Sequence, residues 1–198
     1  MPVEQDTSFA RLTSLAVHDL RTPLATIIGF ARTSERSLEL EPPLSRYIEM
    51  IIAAAEQMTE LLEQVGLAAR IADGRYEPVL AGVDTLELAR AAVPVADGRG
   101  TTVATDPPTV QRALAALAEC ARRHGGVDDV ALHVDGASLT LEPVTERAAP
   151  VILAEDMKDL GAAVAIRAIR ALGGSVELDG ERLLIRLASE GAATAAGP

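Results

Sequence analysis

Two long stripes of apolar residues at helical spacing, interrupted by Glu39-Leu40-Glu41-Pro42-Pro43, constrain the N-terminal third of this chain more tightly than any other feature. In the first, Phe9, Leu12, Leu15, Ala16, Leu20, Leu24, Ile27 and Ile28 recur mostly at steps of three and four, the period of a helix with one apolar side. The pattern predicts a single helix from Ser8 to about Leu38, capped by Thr7 or Ser8. The double proline ends it, because proline lacks a backbone donor and Pro42 pushes Glu41 out of helical geometry. The second stripe comprises Leu44, Tyr47, Ile48, Ile51, Ile52, Ala55, Met58, Leu61, Leu62 and Val65, and predicts a helix to about Ala72 that Asp73-Gly74 stops. Long helices joined by so short a turn fold back as an αα-hairpin whose apolar stripe is wider than one partner covers. Two hairpins are therefore expected to pair as a dimeric four-helix bundle, with a homodimer as the natural state.

After Gly74 the elements shorten and Gly and Pro punctuate them, so a domain boundary is expected between Asp73 and Glu77. Hydrophobic residues make up 48% of the chain, yet it has only two Phe, two Tyr and no Trp, so its core must come from Ala, Leu, Ile and Val. Asp84 to Val93 reads as a short helix opened by Asp84, Asp97-Gly98-Arg99-Gly100 as a loop, and Thr101 to Ala104 as an edge strand. Thr109 to His124 reads as a helix. Val130 to Val134 and Ser138 to Leu141 form a hairpin around Asp135-Gly136. Leu160 to Leu172 is a further helix ended by Gly173-Gly174, and Ser175 to Leu178 with Arg182 to Leu187 form a second hairpin around Asp179-Gly180. The expected organisation is a hairpin over 8–73, an α+β domain over 77–189 and a disordered Ala/Gly-rich tail over 190–198.

A net charge of −11 argues against nucleic acid or an anionic membrane as partner, since both are held by basic clusters. A lone Cys120 leaves no internal disulfide and fits a reducing compartment. No run approaches the length of a membrane span, and Met1 to Ala10 carry Glu4 and Asp6 without a basic leader, so a soluble cytoplasmic protein is expected.

The first helix carries His18-Asp19-Leu20-Arg21-Thr22-Pro23-Leu24. A neutral imidazole is nucleophilic near neutral pH, and its phosphoramidate transfers phosphoryl groups readily. A carboxylate beside it, here Asp19, can fix the ring tautomer or shuttle the released proton. Thr22, four residues on, shares the face of His18 and can orient a water or a phosphoryl oxygen, while Pro23 predicts a local kink. An isolated His-Asp pair has an ordinary alternative, an exposed histidine of a coiled coil beside a solvated acid. The whole string, on a long helix followed by a hairpin, resembles the dimerisation and phosphotransfer domain of bacterial histidine kinases over Phe9 to Ala72. The resemblance implies that His18 is the phosphoacceptor, that Asp19 supports the transfer, and that Thr22 assists dephosphorylation of the partner.

The later segments resemble the ATP-binding domain of the same family. Asp106-Pro107 leads into a helix as the family's N-box does, and Leu160-Gly161 with Gly173-Gly174-Ser175-Val176 matches its last glycine box, helix and strand. The departures are specific. Ala116 and Cys120 stand where the family places two asparagines, one of them a Mg²⁺ ligand, and an alkyl or thiol group does not replace a hard oxygen. Glu142 to Ala149 lacks the aspartate and glycines of the adenine-reading box, and only Gly161 survives in Asp159-Leu160-Gly161-Ala162-Ala163. The segment expected to form a lid is short and offers Asp156 and Asp159, which repel triphosphate. The fold expected from 77–189 is therefore an α+β sandwich resembling a degenerate kinase ATPase domain. ATP and Mg²⁺ are expected not to bind, and any Mg²⁺ is expected to come from the partner. Cys120 reads as a buried small side chain, and His124 and His133 as surface residues without metal-ligand neighbours, so no metal site is expected.

These readings imply a histidine phosphotransferase that carries a phosphoryl group on His18 between receiver-domain aspartates without ATP. The family's docking mode implies receiver contacts at Ile27, Ile28, Phe30, Ala31, Ala54, Gln57 and Met58, with Arg21 beside them. The competing readings are a divergent ATP-dependent histidine kinase and a dimeric binding module without chemistry.

Overall fold

Helix α1 spans Val3–Ser37 and α2 spans Pro42–Ala72. The computed structural model describes residues 3–37 and 42–188, so the expected turn at 38–41 and the tail over 190–198 lie outside the described residues. Helix α1 begins ahead of the expected cap, with Thr7 and Ser8 inside it. Helix α2 likewise starts at Pro42 instead of Leu44, at a position where the missing N–H costs nothing.

The chain divides into two compact units, Met1–Tyr76 and Glu77–Pro198. Within the first, Val17, Leu24 and Ala31 are buried on α1 at heptad spacing, with Ala55 and Ala69 buried on α2. A Cβ added at Gly66 would lie 3.3 Å from Val17 Cγ1, so this glycine lets the helices approach at that level. Arg32 pairs with Glu56 across the hairpin, but both side chains are about half exposed and the pair stabilises little. Leu20, Ile27, Phe30, Leu44, Tyr47, Met50, Ile51, Met58 and Leu61 stay exposed. Among the described residues no helix is long and apolar enough to cross a membrane.

The second unit is a mixed α/β domain. Strand β1 (Ala81–Asp84) pairs antiparallel with β3 (Thr102–Thr105), and β2 (Ala96–Gly100), β4 (Ala131–Gly136), β5 (Ser138–Glu142), β7 (Arg182–Arg186) and β6 (Ser175–Asp179) form a five-stranded sheet in that order. Strand β2 runs parallel to β4, and the remaining pairs of this sheet are antiparallel. Alternation places Leu132, Val134, Leu139, Leu141, Leu183, Ile185 and Val176 on one buried face, and the register sets them side by side: Val134 with Leu139, Leu139 with Ile185, Ile185 with Val176. Helices α3 (Thr85–Ala92), α4 (Pro107–Gly125), the single turn α5 (Ala149–Ile152) and α6 (Leu160–Ala171) contribute their apolar sides to the same core. Aspartates cap the starts of α3, α4 and α6: Asp84 accepts from Leu86 and Glu87, Asp106 from Thr109, and Asp159 from Ala162.

The expected loop at Asp97-Gly98-Arg99-Gly100 is instead strand β2. Its glycines, which look like turn signals, serve close approach: Gly98 has φ +108°, and a Cβ there would sit 2.0 Å from the Val134 carbonyl oxygen. Strand β1 and the short α5 had no expected counterpart, since neither is long enough to show a period. Asp97 lies opposite His133 in the parallel register, with Oδ1 at 2.6 Å from Nδ1, while His133 Nε2 lies 3.3 Å from Glu142 Oε1. The hydrogen bond to Asp97 is the main cause of a raised His133 pKa, against an opposing effect of burial. Because the raised value belongs to the folded state, the stability it gives is full below the unfolded value and lost as pH rises through the folded one. The His133 ring signals in an NMR titration should thus move with a midpoint above the ordinary histidine value, and Asp97→Asn should lower that midpoint. An unchanged midpoint in Asp97→Asn would contradict the pairing.

Candidate phosphoacceptor site

The hairpin seam dictates where His18 points. Val17 and Leu24 are buried anchors on α1, and His18, about 100° around the helix from Val17, is turned outward with its side chain 80% exposed. Its Nδ1 lies 3.2 Å from Asp19 Oδ1. In the tautomer that uses this contact Nδ1 donates to the carboxylate, and Nε2 carries a lone pair toward solvent. Thr22 and Arg21 are also exposed, Thr22 one turn beyond His18 on the same face. Helix α1 continues through Pro23, which has no N–H to give the Asp19 carbonyl, and the Thr26 hydroxyl donates to the Thr22 carbonyl at 3.1 Å. His18, Asp19 and Thr22 therefore form one open surface that a second macromolecule can reach.

Of the residues expected to meet a partner, Ile27, Phe30, Ala54, Gln57 and Met58 are exposed and Ile28 is half-buried. Ala31 departs from that expectation: at 8% exposure it belongs to the seam with Val17 and Leu24, because its heptad position faces α2. Leu20, within the His18 string, is 52% exposed although the helical stripe groups it with Leu24.

In the second unit, α4 places Ala116 against the core and buries Cys120 completely. Burial pushes the Cys120 thiol up to about 12, and the charge of Asp159 adds to the effect. The segment after β5 is occupied with structure: Glu142 accepts from Arg182 at 2.8 Å, Val144 is 1% exposed and its N–H donates to the Glu181 carbonyl, and Ala148 is buried. At the start of α6, Ala162 and Ala163 are buried, and Asp159 is buried as the cap. Asp156 is exposed and pairs with Lys158 at 2.7 Å.

His124 differs from its expected surface setting. Its side chain is 25% exposed, with Nε2 3.2 Å from Asp159 Oδ2, because α4 turns its last face toward the start of α6. Cys120, His124 and Asp159 each present one donor atom, all within 4.8 Å of one another. The four-residue step from Cys120 to His124 was a visible sign that both share a helix face. Asp159, 35 residues further along, was not.

Residues 10–74 match the model of the His Kinase A (phospho-acceptor) domain. No curated protein matches the chain. Among solved structures, full-length ShkA in complex with AMPPNP is similar with a TM-score of 0.64 and 22% identity over 90% of this chain and 46% of that one. The Acinetobacter baumannii histidine kinase AdeS is similar with a TM-score of 0.54 and 18% identity over 87% of this chain and 98% of that one. The ATP binding domain of PrrB from Mycobacterium tuberculosis gives a TM-score of 0.44 and 22% identity over 56% of this chain and 98% of that one. The chain thus spans a little less than half the length of the ShkA structure, and the likenesses to ShkA and AdeS establish a shared fold. Residues 10–74 of this chain are thus similar to a His Kinase A phospho-acceptor domain, within a chain whose fold is like that of ShkA and of the histidine kinase AdeS.

Proposed function

We propose that this protein is a histidine phosphotransferase of a two-component phosphorelay, taking a phosphoryl group from the aspartate of one receiver domain onto His18 and passing it to another without ATP. The observation that carries the proposal is a contrast within one chain. The His18–Asp19 pair is intact and open, whereas Ala116 and Cys120 on α4 face a hydrophobic core and offer no hard oxygen to Mg²⁺. The buried Ala162 and Ala163 at the start of α6 further remove the open glycine backbone that a phosphate needs.

The chemistry follows from the geometry. Nε2 of His18 attacks the phosphorus of an aspartyl phosphate, the N–P bond forms as the acyl P–O bond breaks, and the receiver's carboxylate leaves. Positive charge develops on the ring, and Asp19 beside Nδ1 stabilises it or takes the proton. The second receiver reverses these steps. Mg²⁺ in the receiver's own acidic site neutralises the transferring group, so this chain need not hold the ion. Arg21, Ile27, Ile28, Phe30, Ala54, Gln57 and Met58 form the docking surface, and the exposed stripe including Leu44, Tyr47, Ile51 and Leu61 pairs with a second hairpin in a homodimer. Its setting is cytoplasmic, where receivers reside.

Phosphorylated receiver domains, freed of nucleotide and mixed with the purified protein, test the proposal: acid-labile, alkali-stable label should appear on His18. Receivers that keep all their label would contradict it. Thr22→Ala should retain this forward transfer and slow loss of phosphate to water, by about 100-fold or more if the hydroxyl orients the water. Equal loss of both activities, measured by label transfer and phosphate release, would assign Thr22 another role.

A further inference from the structure

We infer that Cys120, His124 and Asp159 bind a zinc ion that ties the last turns of α4 to the first turn of α6. This site is independent of the chemistry assigned to His18.

Cys120 and His124 lie one helical turn apart on α4, and Asp159 caps α6, so the ligands come from two elements packed together. The donor atoms lie within 4.8 Å of one another, and His124 Nε2 and Asp159 Oδ2 are 3.2 Å apart. Zinc bond lengths put tetrahedral ligands about 3.3–3.8 Å apart, so only small side-chain rotations are needed. Asp159 divides its oxygens: Oδ1 accepts from the Ala162 N–H at 3.0 Å, and Oδ2 faces His124. The carboxylate can therefore bind an ion and still cap the helix.

The donor set selects the metal. A thiolate, an imidazole and a carboxylate suit zinc, whereas Mg²⁺ and Ca²⁺ require oxygen ligands. Thiolate and carboxylate together balance the ion's two charges. Arg123, whose Nη1 lies 3.4 Å from Asp159 Oδ2, competes for that oxygen, but its side chain is 60% exposed and also reaches Glu119 at 3.5 Å, where it can remain. His124 is partly exposed, so a fourth ligand, water or a small anion, can enter from solvent.

The test uses the full chain, stripped with a chelator and titrated with Zn²⁺ and, as a spectroscopic probe, Co²⁺. Binding of one equivalent is expected, with a sulfur-to-cobalt charge-transfer band and a higher thermal midpoint for the C-terminal domain in Zn²⁺. Cys120→Ala should remove the band, and His124→Ala and Asp159→Asn should each weaken binding at least about tenfold, since even indirect supporters of metal ligands cost that much. Asparagine keeps the helix cap, so Asp159→Asn separates metal binding from folding. A wild-type protein that takes up no zinc at micromolar concentration, or shows no sulfur band with cobalt, would overturn the inference. So would affinity unchanged in Cys120→Ala, which would place the ion on surface groups such as His133 and Asp97.

Discussion

His18→Ala is expected to abolish the proposed phosphoryl transfer while leaving the fold and the proposed homodimer intact. The side chain is 80% exposed and its hydrogen bond is to its neighbour Asp19, so its loss removes no packing. The seam at Val17, Leu24, Ala31, Ala55 and Ala69 stays as it is. No other histidine replaces it as acceptor: His124 and His133 belong to the second unit and are engaged by Asp159 and Asp97. Label on the variant after incubation with phosphorylated receivers should be at background, while light scattering gives the same mass for variant and wild type, twice the 20.7 kDa chain. Residual labelling would mean a different acceptor. Asp19→Asn should keep a hydrogen-bonding neighbour but lose the charge that stabilises the ring in transfer, and is expected to slow the reaction without abolishing it.

The largest effect on stability is expected from Leu139→Ala. Leu139 is wholly buried on β5, between Val134 on β4 and Ile185 on β7, at the centre of the five-stranded sheet. Removing its side chain loses the transfer energy of the missing carbons and leaves a cavity, together about 2–5 kcal/mol. Domains of this kind are stable by about 5–15 kcal/mol, so the loss is a large fraction of the total. Urea unfolding followed by circular dichroism should show the C-terminal transition moved to lower denaturant. Thr140→Ala, one residue along and on the opposite face, should cost less than about 1 kcal/mol. Equal costs at both positions would contradict the assignment of the buried face.

How far the sequence revealed this arrangement depended on the range of the interactions involved. The hairpin was legible because its apolar period repeats over many turns, and His18, Asp19 and Thr22 were legible because they lie within about one turn of each other. The same period did not say which apolar residues face the partner helix, so Ala31 was placed on the docking surface when it packs in the seam. Strand β2 was hidden by its composition: Asp97, Gly98, Arg99 and Gly100 have turn chemistry locally, and only pairing with β4 makes them a strand. Cys120, His124 and Asp159 needed the packing of α4 on α6 to bring them together.

Central to the proposed chemistry is that His18 receives phosphate from a receiver and not from nucleotide. The most direct test incubates the purified protein, in parallel, with γ-labelled ATP and Mg²⁺ and with a labelled receiver in the absence of nucleotide. Label on His18 from the receiver alone is the predicted result. Label from ATP that vanishes in His18→Ala would contradict it and make the protein a kinase.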